Sequence, residues 1–210
     1  VILTQITLVL SGLIFIMVMS VRDSTEYTFG DVLFSILEFD VNFTFDDPER
    51  IAFTETLALQ HPDVKAAEMW GLRNAKLRPR GQAESDDDER TSVFGVPLPT
   101  NLYGPQLRAG RWLEPTDRDK VVLNQKLAEK VGVNLGDWIT LDFGVQGKSD
   151  WQVVCLLFDP TITESAHVPR DTLLWELKDV GKASTMWIQT VDGSAEGEVA
   201  SAKRLRDYCE

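Results

Sequence analysis

The stretch GVQGKS at residues 144–149 comes closest in this sequence to a nucleotide-binding motif. A phosphate-binding loop needs another glycine five positions before Gly147, and it must open a helix whose amino terminus faces the phosphates. Asp142 occupies that earlier position, and the apolar run that begins at Trp151 predicts a strand rather than a helix. The stretch is therefore predicted to be a hairpin loop without nucleotide chemistry.

The two histidines, His61 and His167, are the other residues whose type suits catalysis or metal binding. His61 could converge with Asp63 and Glu68 to hold zinc. However, a histidine that ends a helix just before Pro62 is ordinarily a capping residue. We therefore predict no metal site around His61.

Ser165, His167 and Asp171 have the residue types of a hydrolytic triad, but no nucleophile elbow or oxyanion nest accompanies them. The acidic run 86–89 lacks the alternating ligands and the glycine of a calcium loop, so it is predicted to be a solvated loop. The sequence thus predicts no catalytic residue, no cofactor and no metal.

Composition narrows the class of partner. The chain carries 33 acidic and 21 basic side chains, and its formal net charge is −12. An acidic surface argues against nucleic acid, whose phosphates need Lys and Arg, and against flat adsorption on anionic lipid.

Cys155 lies in an apolar run and is predicted to be a buried thiol, and a bridge to Cys209 is not favoured. Trp112, Trp138 and Trp151 are expected to pack a core, with a ligand-binding aromatic patch as the alternative.

The first twenty-one residues form the segment that would attach the rest of the chain to a membrane. Residues 1–21 contain no Asp, Glu, Lys, Arg or His, and about 20 apolar residues suffice for a helix to cross the hydrocarbon of a bilayer. A signal peptide has a shorter apolar centre and a small-residue exit, and a core helix has a polar face. We predict a transmembrane helix over residues 1–22, with these membrane-spanning side chains: Leu3, Ile6, Leu8, Val9, Leu10, Leu13, Ile14, Phe15, Ile16, Met17 and Val18.

Apolar residues continue at helical spacing after the membrane segment. This pattern predicts an amphipathic stalk helix over residues 23–37, which either rises from the bilayer or lies along it, while packing against the next domain is the plainer use of the same face. Its apolar face comprises Phe29, Val32, Leu33, Ile36 and Leu37. The absence of an initial Met leads us to expect further sequence upstream.

Beyond the stalk the pattern predicts a split domain of the α+β class. Strand and helix alternate over residues 38–80, with a helix expected from Asp47-Pro48 to Gln60, and this rhythm returns over residues 182–210. Residues 90–180 between these halves show short strands and turns, which predicts an inserted β-rich domain. Within the insert, Asn124 is expected to cap a short helix that ends at Gly132.

A series of short motifs in the insert resembles a known family. Their order and spacing, placed after a membrane span, resemble the extracytoplasmic core domain of FtsX-like (MacB-type) permeases of ABC transporters. The motifs are Leu107–Trp112, Lys120–Asn124, Leu127-Ala128, Val131–Val133, Gly136–Ile139, Trp151–Val154 and His167–Pro169. Cys155 departs from the pattern, because the family commonly has glycine after the paired valines.

The resemblance implies a permease with a split "porter" unit at residues 38–80 and 182–210 and an inserted "sabre" unit at 90–180. It implies that residues 23–210 lie outside the cytoplasm, at the cell (inner) membrane. It also implies a dimer of permeases, a cytoplasmic ATPase subunit that hydrolyses the ATP, and an adaptor or other outer partner. The alternative functions are a singly membrane-anchored binding or sensor module and, with less support, a membrane-tethered hydrolase.

Overall fold

The computed structural model describes residues 2–27, 36–192 and 204 of the chain. The chain divides into two compact units, 1–37 and 38–210. In the first unit, the residues after Val1 form helix α1 (Ile2–Tyr27), which covers most of the segment predicted as a transmembrane helix and the first residues of the predicted stalk. Within the residues that the structure describes, none of the helices combines the length and the apolar content that a membrane crossing requires. The stalk residues Phe29, Val32 and Leu33 lie outside the described residues.

Among the described residues, the second unit contains nine strands, three α-helices and a short 3-10 helix (Gly144–Gln146). The α-helices are α2 (Ile51–Leu59), α3 (Gln125–Val131) and α4 (Arg170–Glu176). The strands are β1 (Val41–Arg50), β2 (Val64–Pro79), β3 (Glu89–Val96), β4 (Gln106–Gly110), β5 (Lys120–Asn124), β6 (Trp138–Asp142), β7 (Lys148–Phe158), β8 (Ser165–Pro169) and β9 (Lys182–Thr190).

Strands β1 and β9 and the first half of β2 form a three-stranded sheet. Strand β9 lies in the middle and is antiparallel to both neighbours, so β1 and β2 run parallel to each other. Helix α2 connects these two parallel strands, which makes a split β-α-β unit. Buried apolar residues between this sheet and its helices form one core cluster, which includes Ile51, Met69, Leu174 and Met186.

The second half of β2 enters a closed ring of six strands, which we call the ring. Each strand pairs with the next in the order β2, β3, β8, β5, β7, β6 and back to β2. The β3–β8 and β5–β7 pairs are parallel, and β4 pairs with β7 outside the circuit. The larger core cluster includes Leu77, Val93, Leu123, Ile139, Leu141, Trp151 and Val168, each at most 1% exposed.

Several local predictions are confirmed. The Asn124 side chain accepts a hydrogen bond from the Lys126 amide (3.0 Å), and Gly132 ends α3 with a φ of 71°. The loop at residues 144–149 is the connection of the β6–β7 hairpin, and Lys148 already lies in β7. Most of the predicted strand and helix pattern over residues 182–210 that follows residue 192 lies outside the described residues.

The helix predicted to begin at Asp47-Pro48 begins instead at Ile51, so that prediction is wrong at its start. Strand β1 continues to Arg50, which pairs with Lys182 of β9. The pairing is irregular between Thr44 and Glu49, and a proline is tolerated there because it need not donate to the ladder. Pairing with β9 therefore overrides the local capping preference of Asp47.

Gly110, at the end of β4, provides a test of this packing. Its φ is +88°, and a Cβ added there would lie 2.1 Å from the Val154 carbonyl oxygen and 2.9 Å from the Cys155 Cα. We expect Gly110→Ala to lower the free energy of unfolding by about 3 kcal/mol, because left-handed strain and a backbone clash add together. Urea unfolding of the chain in nonionic detergent, followed by tryptophan fluorescence, would measure this loss.

Gly81 supplies the matched control, because its φ is +86° but an added Cβ there meets open space. Gly81→Ala should show only the conformational cost of roughly 1 kcal/mol. Equal losses in the two variants would contradict the close approach of β4 to β7.

Candidate functional site

In the described part of the chain, the residues that the sequence suggested for catalysis or metal binding do not form a catalytic or metal site. The Ser165 hydroxyl donates to the Ile162 carbonyl (2.9 Å), and the Asp171 carboxylate accepts from Arg170 (3.2 Å). Asp63 pairs with Arg204 (2.7 Å). In the part of the chain that the structure describes, no group of three or more His, Cys, Asp or Glu residues is placed to hold a metal ion.

The best-defined polar and aromatic contacts gather instead where the chain enters the second unit. Residues 38–40, which we call the joint, are fixed along their backbone. The Glu38 amide donates to the Leu102 carbonyl (3.1 Å), and the Asp40 amide donates to the Ile188 carbonyl (2.9 Å). The Asp40 carboxylate also accepts from the amide (2.6 Å) and the hydroxyl (2.7 Å) of the buried Thr190. The joint is therefore tied to β9 on one side and to the β3–β4 loop on the other.

The side chain of Phe39 begins a chain of ring contacts that crosses the unit. Its ring stacks on Trp187 of β9 at a centroid distance of 4.3 Å, and Trp187 stacks on Trp70 of β2 at 3.8 Å. Trp70 meets Tyr103 edge-on at 5.9 Å, and Tyr103 stacks on His167 of β8 at 5.3 Å. Such aromatic pairs contribute about 0.5–1.5 kcal/mol each beyond their buried area.

We define the aromatic cluster as these five residues together with their two further ring neighbours: Phe39, Trp70, Phe94, Tyr103, Trp112, His167 and Trp187. Trp70 and Trp187 belong to the three-stranded sheet, whereas Phe94 and His167 belong to the ring. The aromatic cluster therefore links the joint to both sheets of the second unit.

The β3–β4 loop is held by polar contacts on each side of Leu102, which is fully buried. The Glu68 carboxylate accepts from the Thr100 hydroxyl (2.6 Å) and from the Asn101 amide (2.8 Å). On the other side, the Tyr103 hydroxyl donates to Asp159 (3.3 Å). Burial and the neighbouring Asp159 carboxylate raise the pKa of Tyr103, so this hydroxyl keeps its proton.

The ring holds a second set of buried charges, on its outer side. Arg78 donates to Asp88 (2.7 Å) and lies 3.5 Å from Asp142, and all three side chains are at most 7% exposed. Burial alone would raise the pKa of Asp142, but its bonds with Lys148 and the Gly144 amide and the charges of Lys148 and Arg78 hold it below the usual value. Asp142 is therefore ionised and anchors the β6–β7 turn.

The structure brings together residues that the sequence analysis did not group. Trp112, expected to pack the insert, lies in the aromatic cluster, while Trp151 does lie in the ring core. The joint and Glu68 were missed because their partners are more than 30 residues away in sequence. Cys155 is confirmed as a buried free thiol, and burial raises its pKa to about 11.

The predicted membrane residues are only partly described. Their side chains from Val9 to Val18 are exposed, with at least 55% of each large apolar side chain accessible. For Leu3, Ile6 and Leu8 the structure describes the helical backbone but not the side chains. Of the apolar face predicted for the stalk, the structure describes Ile36 and Leu37.

The fold has solved relatives. The periplasmic region of MacB from Actinobacillus actinomycetemcomitans shares 12% sequence identity, with a TM-score of 0.57 over 79% of this chain and 81% of that one. The extracellular domain of the noncanonic ABC-type transporter YknZ from Gram-positive bacteria shares 16% identity, with a TM-score of 0.56 over 78% of this chain and 90% of that one. The fold is thus that of the outer domains of such transporters. No curated protein matches the sequence.

The sequence itself shows to which family the chain belongs. The chain belongs to the MacB-like periplasmic core domain family, whose model matches residues 2–204. This confirms the resemblance drawn from the motifs of the insert, and it identifies the chain as part of the permease component of an ABC transporter, which is not itself the catalytic component.

His167 gives the aromatic cluster a measurable pH dependence. Burial lowers the pKa of His167 to about 4, whereas a histidine in the unfolded chain titrates near pH 6.5. The unfolded chain therefore takes up a proton that the folded chain excludes, and stability present above about pH 6.5 is lost as the pH falls towards 4. We expect this loss to be roughly 3 kcal/mol.

His167→Phe keeps a ring between Phe94 and Tyr103 but removes the titrating group. Urea unfolding at pH 7, 5.5 and 4 should show a shallower loss of stability in this variant than in the parent. Parallel pH profiles for the two proteins would show that His167 is not buried in its neutral form.

Proposed function

We propose that this chain is the amino-terminal anchor and outer domain of an ABC transporter permease that passes ATP-driven motion from the membrane to the outside. Residues 1–22 form the transmembrane helix, and residues 23–37 form the stalk. Residues 38–80 and 182–210 form the porter-like domain, and residues 90–180 form the sabre-like insert. The protein lies in the cell (inner) membrane, with residues 23–210 extracytoplasmic.

Two features support the membrane assignment. No ionisable side chain occurs between Val1 and Val21, and the large apolar side chains from Val9 to Val18 are exposed in the described part of α1. Exposed apolar side chains on all faces of a helix suit hydrocarbon rather than water. Membership of a family of transporter permeases agrees with this location.

The mechanical part of this proposal rests on the contacts of the joint. Residues 38–40 follow the stalk directly and are held by four hydrogen bonds and one ring stack. A displacement of the chain at residue 38 would therefore move β9, the β3–β4 loop and the aromatic cluster together, because packed interiors transmit strain rather than absorb it. In this way a shift of the stalk reorients both sheets of the outer domain.

The proposal requires several partners. A cytoplasmic ATPase subunit hydrolyses the ATP, and a second permease copy or a related permease completes a dimer. A periplasmic adaptor or another outer partner receives the motion or the cargo. The acidic composition excludes nucleic acid from these partners.

The alternative is a singly membrane-anchored binding or sensor module, which membership of a permease family does not favour. Co-purification of the full-length protein from membranes separates the two functions. An ATPase subunit that co-purifies at a fixed ratio supports the permease, and a protein that is isolated without one supports the sensor.

Phe39→Ala tests the joint directly. In the full-length permease reconstituted with its ATPase, a spin label at the fully exposed Val145 should report an ATP-dependent change of distance between protomers. The substitution should reduce that change several-fold, because it removes the stack on Trp187, while ATP hydrolysis continues.

Phe53→Ala is the matched control, since Phe53 is 66% exposed on α2 and takes no part in the aromatic cluster. This variant should behave as the parent does. An unaltered ATP-dependent change in the Phe39→Ala protein would show that motion does not pass through the joint.

A further inference from the structure

Unpaired polar atoms are concentrated in and beside the aromatic cluster. In the part of the chain that the structure describes, five buried side-chain polar atoms have no hydrogen-bond partner. They are the indole nitrogens of Trp70 and Trp187, Nδ1 of His167, and the hydroxyl oxygens of Thr185 and Thr172. Three of the five therefore belong to the aromatic cluster. Because folded proteins pair nearly all of their buried polar groups with protein or with ordered water, this concentration needs an explanation.

Strand register places Thr185 beside Trp70. The two residues are directly opposite each other in the antiparallel β2–β9 ladder, so their side chains point to the same face of the sheet. The adjacent pair, Met69 and Met186, belongs to the core cluster beneath the helices, on the other face. Trp187 returns to the face of Thr185, and its ring stacks on that of Trp70 at a centroid distance of 3.8 Å. Three of the unpaired groups thus share one face, while the other two lie on β8 and α4.

None of the three side chains on this face reaches bulk water. Thr185 is 2% exposed, Trp70 is fully buried and Trp187 is 5% exposed. An indole nitrogen can only donate a hydrogen bond, whereas a threonine hydroxyl can donate and accept. The Thr185 hydroxyl is thus a suitable acceptor for an indole, yet it is bonded to neither of them. A small molecule that both accepts and donates hydrogen bonds would satisfy all three groups.

Size and access favour water as that molecule. The rings of Phe39, Trp187 and Trp70 are stacked at centroid distances of 4.3 and 3.8 Å, which leaves no space for another molecule between them. On the other side of β9, Thr44 of β1 lies directly opposite Thr185 and is exposed. The row from Thr44 through Thr185 to Trp70 therefore leads from an exposed position to a buried indole, and its first two members carry hydroxyl groups.

We propose that an ordered water molecule is bound in the aromatic cluster, where it accepts hydrogen bonds from the indoles of Trp70 and Trp187 and donates one to the Thr185 hydroxyl. Buried waters typically make about three hydrogen bonds, which this arrangement supplies. The water satisfies polar groups that are costly to bury unpaired. It lies beside the stack on which Phe39 of the joint rests, so the joint meets the second unit through a hydrated contact.

The sign of a stability change tests this site. Thr185→Val keeps the shape of the side chain but removes the hydroxyl. The variant should melt about 2–4 °C below the parent, because one buried hydrogen bond is lost. A hydroxyl without a partner would give the opposite sign, since removal of an unsatisfied buried group stabilises a protein. Thermal unfolding of the full chain in nonionic detergent, followed by tryptophan fluorescence, measures the difference.

Thr91→Val is the matched control. Thr91 is also buried in a strand, at 3% exposed, and its hydroxyl donates to the Glu164 carbonyl (3.1 Å). This variant should lose about as much stability as Thr185→Val, because each loses one hydrogen bond. A Thr185→Val protein that melts at or above the temperature of the parent would overturn the proposed water.

Nuclear magnetic resonance gives a second readout. The six indole N–H groups of the isotope-labelled chain are observed in detergent, and Trp70→Phe and Trp187→Phe assign the two in question. Both should show cross peaks to water with the sign of a long-lived bound molecule, whereas Trp175, which is 70% exposed, should show the sign of mobile water. The Thr185 hydroxyl proton can relay such a signal, so cross peaks support the site only together with a destabilised Thr185→Val protein. Cross peaks missing at both buried indoles would overturn it.

Discussion

Strand β2 serves two sheets, and the rest of the second unit depends on this sharing. Residues 64–70 pair with β9, and residues 71–79 pair with β3 and β6. Backbone hydrogen bonds thus run without interruption from the three-stranded sheet into the ring. A strand paired along its length cannot bend freely, because its amides and carbonyls must keep their partners. The two sheets are therefore connected by a stiff element.

Helix α4 covers the point where β2 passes from one sheet to the other. Gly71 and Gly95 are directly opposite each other there, and a Cβ added at Gly95 would lie 3.0 Å from the Leu173 Cδ2 and 3.1 Å from the Arg170 Cα. Two adjacent glycines let the helix approach the ladder closely. Arg170 then donates to the Met69 carbonyl (2.9 Å), which ties α4 to β2 just before the transition.

The described polar contacts fix the positions of backbone segments. The buried polar groups at the joint and in the β3–β4 loop are hydrogen-bonded in pairs that fix backbone positions, and His167 stacks between two rings instead of contacting a nucleophile. This organisation agrees with membership of the permease family.

Local sequence patterns predicted the elements that depend on neighbouring residues. The Asn124 cap, the glycine end of α3 and the β6–β7 hairpin are confirmed because each follows from a few adjacent side chains. The helix start at Asp47-Pro48 failed for the opposite reason, since pairing of Arg50 with Lys182 is invisible in a local window. The division into a split domain and an insert remains a prediction.

The sequence by itself determined the apolar first helix, most strands and short helices, the lack of a nucleotide motif, and the family, because these reside in composition and in short ordered motifs. Only the tertiary structure decided that β2 joins two sheets, that Phe39 reaches Trp187, and that Thr185 lies opposite Trp70. The physical reason is that these contacts join distant parts of the chain, and the register of strand pairing selects which side chains meet.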